Sequence, residues 1–219
     1  MSDIFREVDE DIRRDQLEQL WKRYGGVIIA AAVVIVVATG GYRAWTWYQN
    51  KQAADAGERY HAAVALAGEG KQDEAIAAFA EIAGGSSGYA SLARMRAAAA
   101  MAADGDKAGA GEAYEAIAGD GSVDPLIRDA ASVRAAYLAI GDTPLAAMQA
   151  RLAGQLADDN QFRHSAREVM ALTAYREGNV AETARWAETA LADAAVPQNL
   201  RQRLELILQV IAAQRAPKA

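Results

Sequence analysis

Residues 25–41 read GGVIIAAAVVIVVATGG, an uncharged and almost wholly apolar run close to the N-terminus. A helix rises about 1.5 Å per residue, so a run of this length crosses most of a hydrocarbon core that is about 30 Å thick. A surface helix of a water-soluble domain normally carries a polar stripe along one face, and this run has none. The run therefore predicts a single transmembrane helix over residues 25–42.

Aromatic and basic side chains flank this run on both sides. Amphipathic rings concentrate at the two membrane–water boundaries, where they have one apolar and one hydrated end. We therefore expect eight residues to anchor the helix at the interfaces: Trp21, Lys22, Arg23 and Tyr24 before it, and Tyr42, Trp45, Trp47 and Tyr48 after it.

The distribution of Lys and Arg around the run predicts its orientation. Arg6, Arg13, Arg14, Lys22 and Arg23 precede the run, whereas Arg43 and Lys51 follow it. Because cytoplasmic flanks are richer in Lys and Arg, residues 1–24 are expected to form a cytoplasmic tail and the C-terminal domain to be exported. For a bacterial protein, this orientation predicts a single-pass inner-membrane protein with a periplasmic domain.

A cleaved signal peptide is the alternative interpretation of the same run. Signal peptides end in small residues at an A-x-A-like cleavage site. Here the run leads instead into Tyr42-Arg43 and then Trp45, after only a poor match at Ala38-Thr39-Gly40. A retained anchor is the better interpretation.

Composition excludes several classes of function. The 219-residue chain has a net charge of −6 and no cysteine, which argues against nucleic-acid binding, disulfides and thiolate chemistry. His61 and His164 lie far apart, and neither occurs in a metal-binding or catalytic spacing. We therefore expect no enzyme activity, metal, cofactor or small-molecule substrate.

Four glycines mark a repeat in the C-terminal region. Gly70, Gly105, Gly141 and Gly178 are spaced by 35, 36 and 37 residues, as in a solenoid of helix pairs. A small residue follows each glycine by five positions, and further apolar or small residues follow it on the same helix face. These sets are Ala75, Phe79 and Ile82; Ala110, Tyr114 and Ile117; Ala146, Ala150 and Ala153; and Thr183, Ala187 and Ala190. Alternating strand patterns are nearly absent after residue 50, so the fold class is all-α.

This pattern resembles a tetratricopeptide array. The resemblance implies a right-handed α-solenoid of about four degenerate helix pairs over residues 57–219, after a juxtamembrane linker or helix at residues 43–56. Asp124-Pro125 and Thr143-Pro144 each predict a helix start. Pro197 precedes an apolar helical stripe that either caps the last pair or docks a partner: Leu200, Leu204, Ile207, Leu208 and Ile211.

The resemblance also places residues on the inner face of the solenoid, which the first helix of each pair lines. They are Tyr60, Val64, Leu92, Met95, Ala99, Ala131, Ala135, Leu138, Glu168, Leu172 and Tyr175. The partner-binding candidates among them are Tyr60, Val64, Met95, Leu172 and Tyr175, although packing between units is the alternative role. The Lys and Asn of carboxylate-clamp tetratricopeptide domains are missing, so that clamp is not expected. An apolar groove would suit an amphipathic helix or an unfolded segment.

Three features together resemble the YfgM-like ancillary subunits of the bacterial SecYEG translocon: an acidic tail that ends Leu-Trp-Lys-Arg-Tyr-Gly (residues 20–25), an anchor that ends Gly-Gly-Tyr-Arg-Ala-Trp-Thr-Trp-Tyr (residues 40–48), and the repeat domain. The resemblance implies a noncatalytic adaptor at SecYEG, with a membrane-anchored periplasmic chaperone and emerging secretory proteins as partners. A scaffold for envelope assembly or regulation is the alternative, and a tethered hydrolase is disfavoured.

Overall fold

The computed structural model describes residues 3–85 and 88–215, and the side chains of residues 21–214 within those ranges. Arg6, Arg13 and Arg14, used above for the orientation, lie outside the described side chains. Within the described ranges the chain is helical and has no strand. Its α-helices are α1 Asp3–Gly68, α2 Gln72–Ala83, α3 Tyr89–Asp104, α4 Lys107–Ala118, α5 Pro125–Leu138, α6 Leu145–Arg151, α7 Arg163–Arg176, α8 Val180–Leu191 and α9 Gln198–Arg215. The all-α prediction is confirmed.

The chain divides into two compact units, Met1–Ala54 and Asp55–Ala219. In the first unit, the large aliphatic side chains of α1 between residues 27 and 37 are exposed, from 53% at Ile28 to 69% at Val36. The hydroxyl of Thr39 donates a hydrogen bond to the Ile35 carbonyl at 2.7 Å, so this polar group is satisfied within the helix. With a mean hydropathy of 2.1 over its most apolar 18-residue window, the helix is long and apolar enough to cross a membrane.

The second unit contains the predicted helix pairs, and their turns repeat the same backbone geometry. Gly70, Gly105 and Gly178 adopt positive φ angles of 79°, 103° and 71°. In each case the amide of the next residue bonds to the carbonyl five residues earlier, as from Lys71 to Leu66 at 3.0 Å. This is a glycine-dependent helix C-cap, and it turns the chain directly into the second helix of the pair.

Three of the four predicted sets of core residues are confirmed. Ala75, Phe79 and Ile82 are buried in α2, and the sets in α4 and α8 are buried in the same way. Apart from Ala110 and Thr183, these residues belong to three apolar clusters along the unit. The first surrounds Phe79, the second surrounds Tyr114 and Ile117, and the third and largest extends from α5 to α9. Small residues at the first position let the paired helices approach closely.

The prediction for the third pair was wrong by two residues. Ala146, Ala150 and Ala153 are exposed, whereas Met148 and Leu152 are fully buried. The reason is the turn: Gly141 lies in a short 3₁₀ helix without a positive φ, and α6 begins four residues after it. The other second helices begin two residues after their glycine, so Met148 and Leu152 occupy the positions of Ala75 and Phe79.

The cap predictions had mixed outcomes. Asp124 caps α5, since its carboxylate accepts a hydrogen bond from the Leu126 amide at 2.8 Å. Thr143 does not cap α6, because the helix begins one residue later than predicted and no side chain of its own turn bonds to it. Glu177 takes over this role and accepts from the Leu145 amide at 2.8 Å. A carboxylate from outside the turn therefore accepts a hydrogen bond from the first backbone amide of α6.

The predicted last helix forms as α9, with its apolar stripe against the third cluster. Leu200, Leu204 and Ile211 are buried, and Ile207 and Leu208 are half-buried. The stripe covers α7 and α8, as expected for a helix that caps the array. On the opposite side, Leu206 stays 59% exposed.

Candidate interaction groove

The first helices of the pairs form one continuous row. Helix α3 contacts α5, α5 contacts α7, and α7 contacts α9. Such a row is the surface that a helix-pair solenoid offers to partners. The candidate residues are therefore described along it, from the end of α1 to α9.

At the start of the row, Tyr60 is packed rather than free. Its ring lies 5.7 Å from the Phe79 ring and 5.5 Å from the Tyr89 ring, and its hydroxyl accepts a hydrogen bond from Arg96 Nε at 3.3 Å. Val64 is half-buried and lines a cavity of about 330 Å³ between the end of α1, α2 and α3. Both side chains contribute to the first apolar cluster.

A larger cavity, of about 510 Å³, lies along the middle of the row. Met95 of α3 lines one end of it. The other lining residues come from α5, from the segment before α7, and from α7 and α9, and they include Val133, Arg134, Tyr137, Phe162 and Arg203. Its walls are largely apolar, and two of its lining residues, Arg134 and Arg203, carry guanidinium groups.

A buried carboxylate supports one side of this cavity. The side chain of Glu168 is 2% exposed and is held by Arg203, which donates from Nε at 2.6 Å and from Nη2 at 2.7 Å. The Tyr137 hydroxyl also donates to Glu168. The hydrogen bonds to Glu168 raise the pKa of Arg203 above its usual range, and burial together with Glu168 raises the pKa of Tyr137. Three helices of the row, α5, α7 and α9, are thus linked by one charged network.

The last candidates lie near the C-terminal end of the row. Leu172 is half-buried, and Tyr175 is 37% exposed with its hydroxyl accepting a hydrogen bond from Gln214 Nε2 at 3.2 Å. Of the wider inner-face set, Ala131, Ala135 and Glu168 are buried, Ala99 and Leu138 are half-buried, and Leu92 is 40% exposed. The large cavity brings only Met95 of the five partner-binding candidates to its lining.

Sequence reasoning missed several lining residues of the large cavity. Val133, Arg134 and Tyr137 are spaced by three and four residues, a pattern that marks one face of α5. They lie one or two positions from Ala131 or Ala135, the residues that the family pattern selected. A shift of one or two positions in the alignment of α5 to that pattern is therefore enough to miss them. Phe162 comes from the irregular segment between α6 and α7, for which no periodicity exists.

Two further carboxylates, Asp120 and Asp193, connect turns to neighbouring helices through Arg94 and Arg163, and neither is among the described residues that line this cavity. Hydrogen bonds from Ser122 and Arg94 lower the pKa of Asp120 to about 2. Arg163 and the Ala195 amide lower the pKa of Asp193 to about 2 in the same way. These contacts hold the segments that follow α4 and α8. Within the described ranges, no group of three or more acidic or histidine residues is placed to hold a metal ion.

The predicted interface residues of the first unit are exposed. Trp21 is 59%, Tyr42 69% and Trp47 65% exposed, and Tyr24, Trp45 and Tyr48 are exposed as well. The Arg23 guanidinium lies 5.7 Å from the Tyr24 ring centroid, and the Lys51 ammonium lies 5.6 Å from that of Trp47. Lys22 is also exposed. One cation and one ring are therefore paired on each side of the apolar run.

Comparison with known proteins agrees with the repeat architecture. Residues 18–213 match the family described as "Tetratricopeptide repeat-like domain". No curated protein and no solved structure matches the chain. Domains of this kind are typically noncatalytic and mediate protein–protein interaction. Because the match covers most of the sequence, the chain belongs to the tetratricopeptide repeat-like family.

Proposed function

We propose that this protein is a noncatalytic adaptor of the bacterial inner membrane that associates with the SecYEG protein-export channel. Its single transmembrane helix leaves the N-terminus in the cytoplasm and the repeat domain in the periplasm. There the domain presents its inner face to a membrane-anchored chaperone and to emerging secretory proteins. It requires no cofactor.

One observation carries the proposal: an exposed apolar helix precedes a repeat domain whose helix row has a cavity with apolar walls. The helix has the length and composition of a membrane span, with paired cations and rings on both flanks. The cavity offers Met95 and Phe162, the flexible and aromatic side chains that suit variable apolar segments. An export adaptor needs both properties, because its clients emerge unfolded at the membrane.

Crosslinking in living cells, followed by purification in mild detergent, tests this proposal. A photoreactive residue at Met95 or Tyr175 would report on the row of first helices. The matched control is Ala146, which is exposed on α6, a second helix. We expect SecYEG subunits in the purified material, and chaperone and secretory proteins crosslinked from Met95 and Tyr175 but not from Ala146.

Two results would contradict the proposal. Recovery of envelope-assembly machinery without translocon subunits would favour the alternative, a membrane-anchored scaffold for cell-envelope assembly or regulation. Equal capture from Ala146 and from Met95 would show that the row of first helices is not the interaction surface.

A further inference from the structure

The large cavity combines apolar walls with cationic groups, and none of the described residues that line it carries a carboxylate. Met95, Val133 and Phe162 supply apolar surface, and Arg134 and Arg203 supply guanidiniums. A cavity of about 510 Å³ lies in the size range of ligand sites in proteins. Such a lining favours an occupant that is apolar and negatively charged at once.

The two arginines differ in what they already bind. Arg203 is engaged by Glu168 through two hydrogen bonds, so most of its charge is neutralised in place. Arg134 is exposed and takes part in no ion pair or hydrogen bond in the described part of the chain. Its guanidinium is therefore the group with donors available to a ligand.

Arg134 lines the cavity beside two other residues of α5, Val133 and Tyr137. Tyr137 follows it by three residues, and Val133 precedes it, so all three share one helix face. Tyr137 is fixed by Glu168, which is itself fixed by Arg203. The wall beside Arg134 is thus held in place before a ligand binds. Binding would then require little further ordering of this wall, so less conformational entropy of the protein would be lost.

From this arrangement we propose that the cavity binds a partner segment in which an acidic side chain stands next to a large apolar one. The apolar side chain packs against Met95, Val133 and Phe162, and the carboxylate accepts hydrogen bonds from Arg134. Arginine suits this task because its planar fork matches a carboxylate. The inference deepens the proposed function, since it names the chemistry that the adaptor would recognise in a chaperone or client.

Arrays of short peptides test this recognition directly. Each array contains pairs that differ only by Glu or Gln beside a Leu or Phe, and the probe is the purified full-length protein in detergent. We expect the Glu member of each pair to bind more strongly. Replacing Arg134 with glutamine should weaken the best Glu peptide about tenfold and leave its Gln partner unchanged, because one charge-assisted contact is lost.

Two control variants separate recognition from general charge and from folding. Arg134→Lys keeps the charge and should retain part of the preference for Glu. Arg59→Gln removes an exposed arginine from α1 that does not line the cavity, and it should change nothing. Circular dichroism of each variant shows whether the helices remain folded.

Three outcomes would overturn the inference: no preference for Glu, a preference that survives Arg134→Gln, or an equal loss in Arg59→Gln. The outcome is distinct from that of the proposed function. Glu-dependent peptide binding without SecYEG in the purified material would keep the site and reject the translocon. Capture of SecYEG and a chaperone without any preference for Glu would reject the proposed site and keep the proposed function.

Discussion

Replacing Arg203 with alanine is expected to lower the free energy of unfolding of the repeat domain by about 3 kcal/mol. The side chain of Glu168 is 2% exposed, and Arg203 supplies two of its hydrogen bonds. Without Arg203, a buried carboxylate keeps only the Tyr137 hydroxyl. Denaturation of the full-length protein, followed through Trp186 with the three other tryptophans replaced by phenylalanine, measures the change.

The reciprocal variant is the matched control. Glu168→Gln should cost less, about 1 kcal/mol, because the Arg203 side chain is 52% exposed and regains water when its partner is neutral. The order of the two losses follows from which partner is buried. Equal stability of Arg203→Ala and the unmodified protein, or a larger loss in Glu168→Gln, would contradict the assigned role of the network.

Placing two arginines in the apolar run, Ile35→Arg with Val36→Arg, is expected to abolish stable membrane insertion. Each charge near the centre of a span costs about 3 kcal/mol on insertion scales, and the two sites are 64% and 69% exposed on the isolated helix. Extraction of membranes at alkaline pH, with blotting of the soluble and pelleted fractions, measures the retained protein.

Gln49→Arg with Asn50→Arg adds the same charge beyond the predicted interface and serves as the control. Both residues are exposed and lie outside residues 25–42. This variant should remain in the pellet like the unmodified protein. If the double substitution at residues 35 and 36 also stayed wholly in the pellet, the run would not be the anchor.

Much of the fold could be predicted because glycine spacing and helix periodicity are local signals. Gly70, Gly105 and Gly178 fix the turns through their backbone geometry, and the buried positions follow at constant offsets. The buried positions of the third pair were predicted wrongly because its turn has two more residues. This longer turn moves the buried positions to Met148 and Leu152. A single sequence does not reveal whether a turn is lengthened or a helix is shifted.

The groove was harder to predict than the fold. Met95 was found because the family register placed it on the inner face, but Arg134 and Tyr137 lie one or two positions off that register. The missing Lys and Asn argued only against the family's own clamp. Whether a cation such as Arg134 is unpaired depends on contacts between helices that are far apart in sequence. The ion pair of Glu168 with Arg203 is such a contact, and local sequence patterns do not reveal it.

The central claim is that a retained membrane helix separates a cytoplasmic tail from an exported repeat domain. The chain has no cysteine, so one introduced cysteine is its only thiol. Ser2→Cys reports on the tail and Ala146→Cys, at an exposed position, on the repeat domain. A membrane-impermeant maleimide added to intact spheroplasts should label the cysteine at position 146 and reach the one at position 2 only after lysis. Labelling of position 2 in intact spheroplasts, or protection of position 146, would contradict the account.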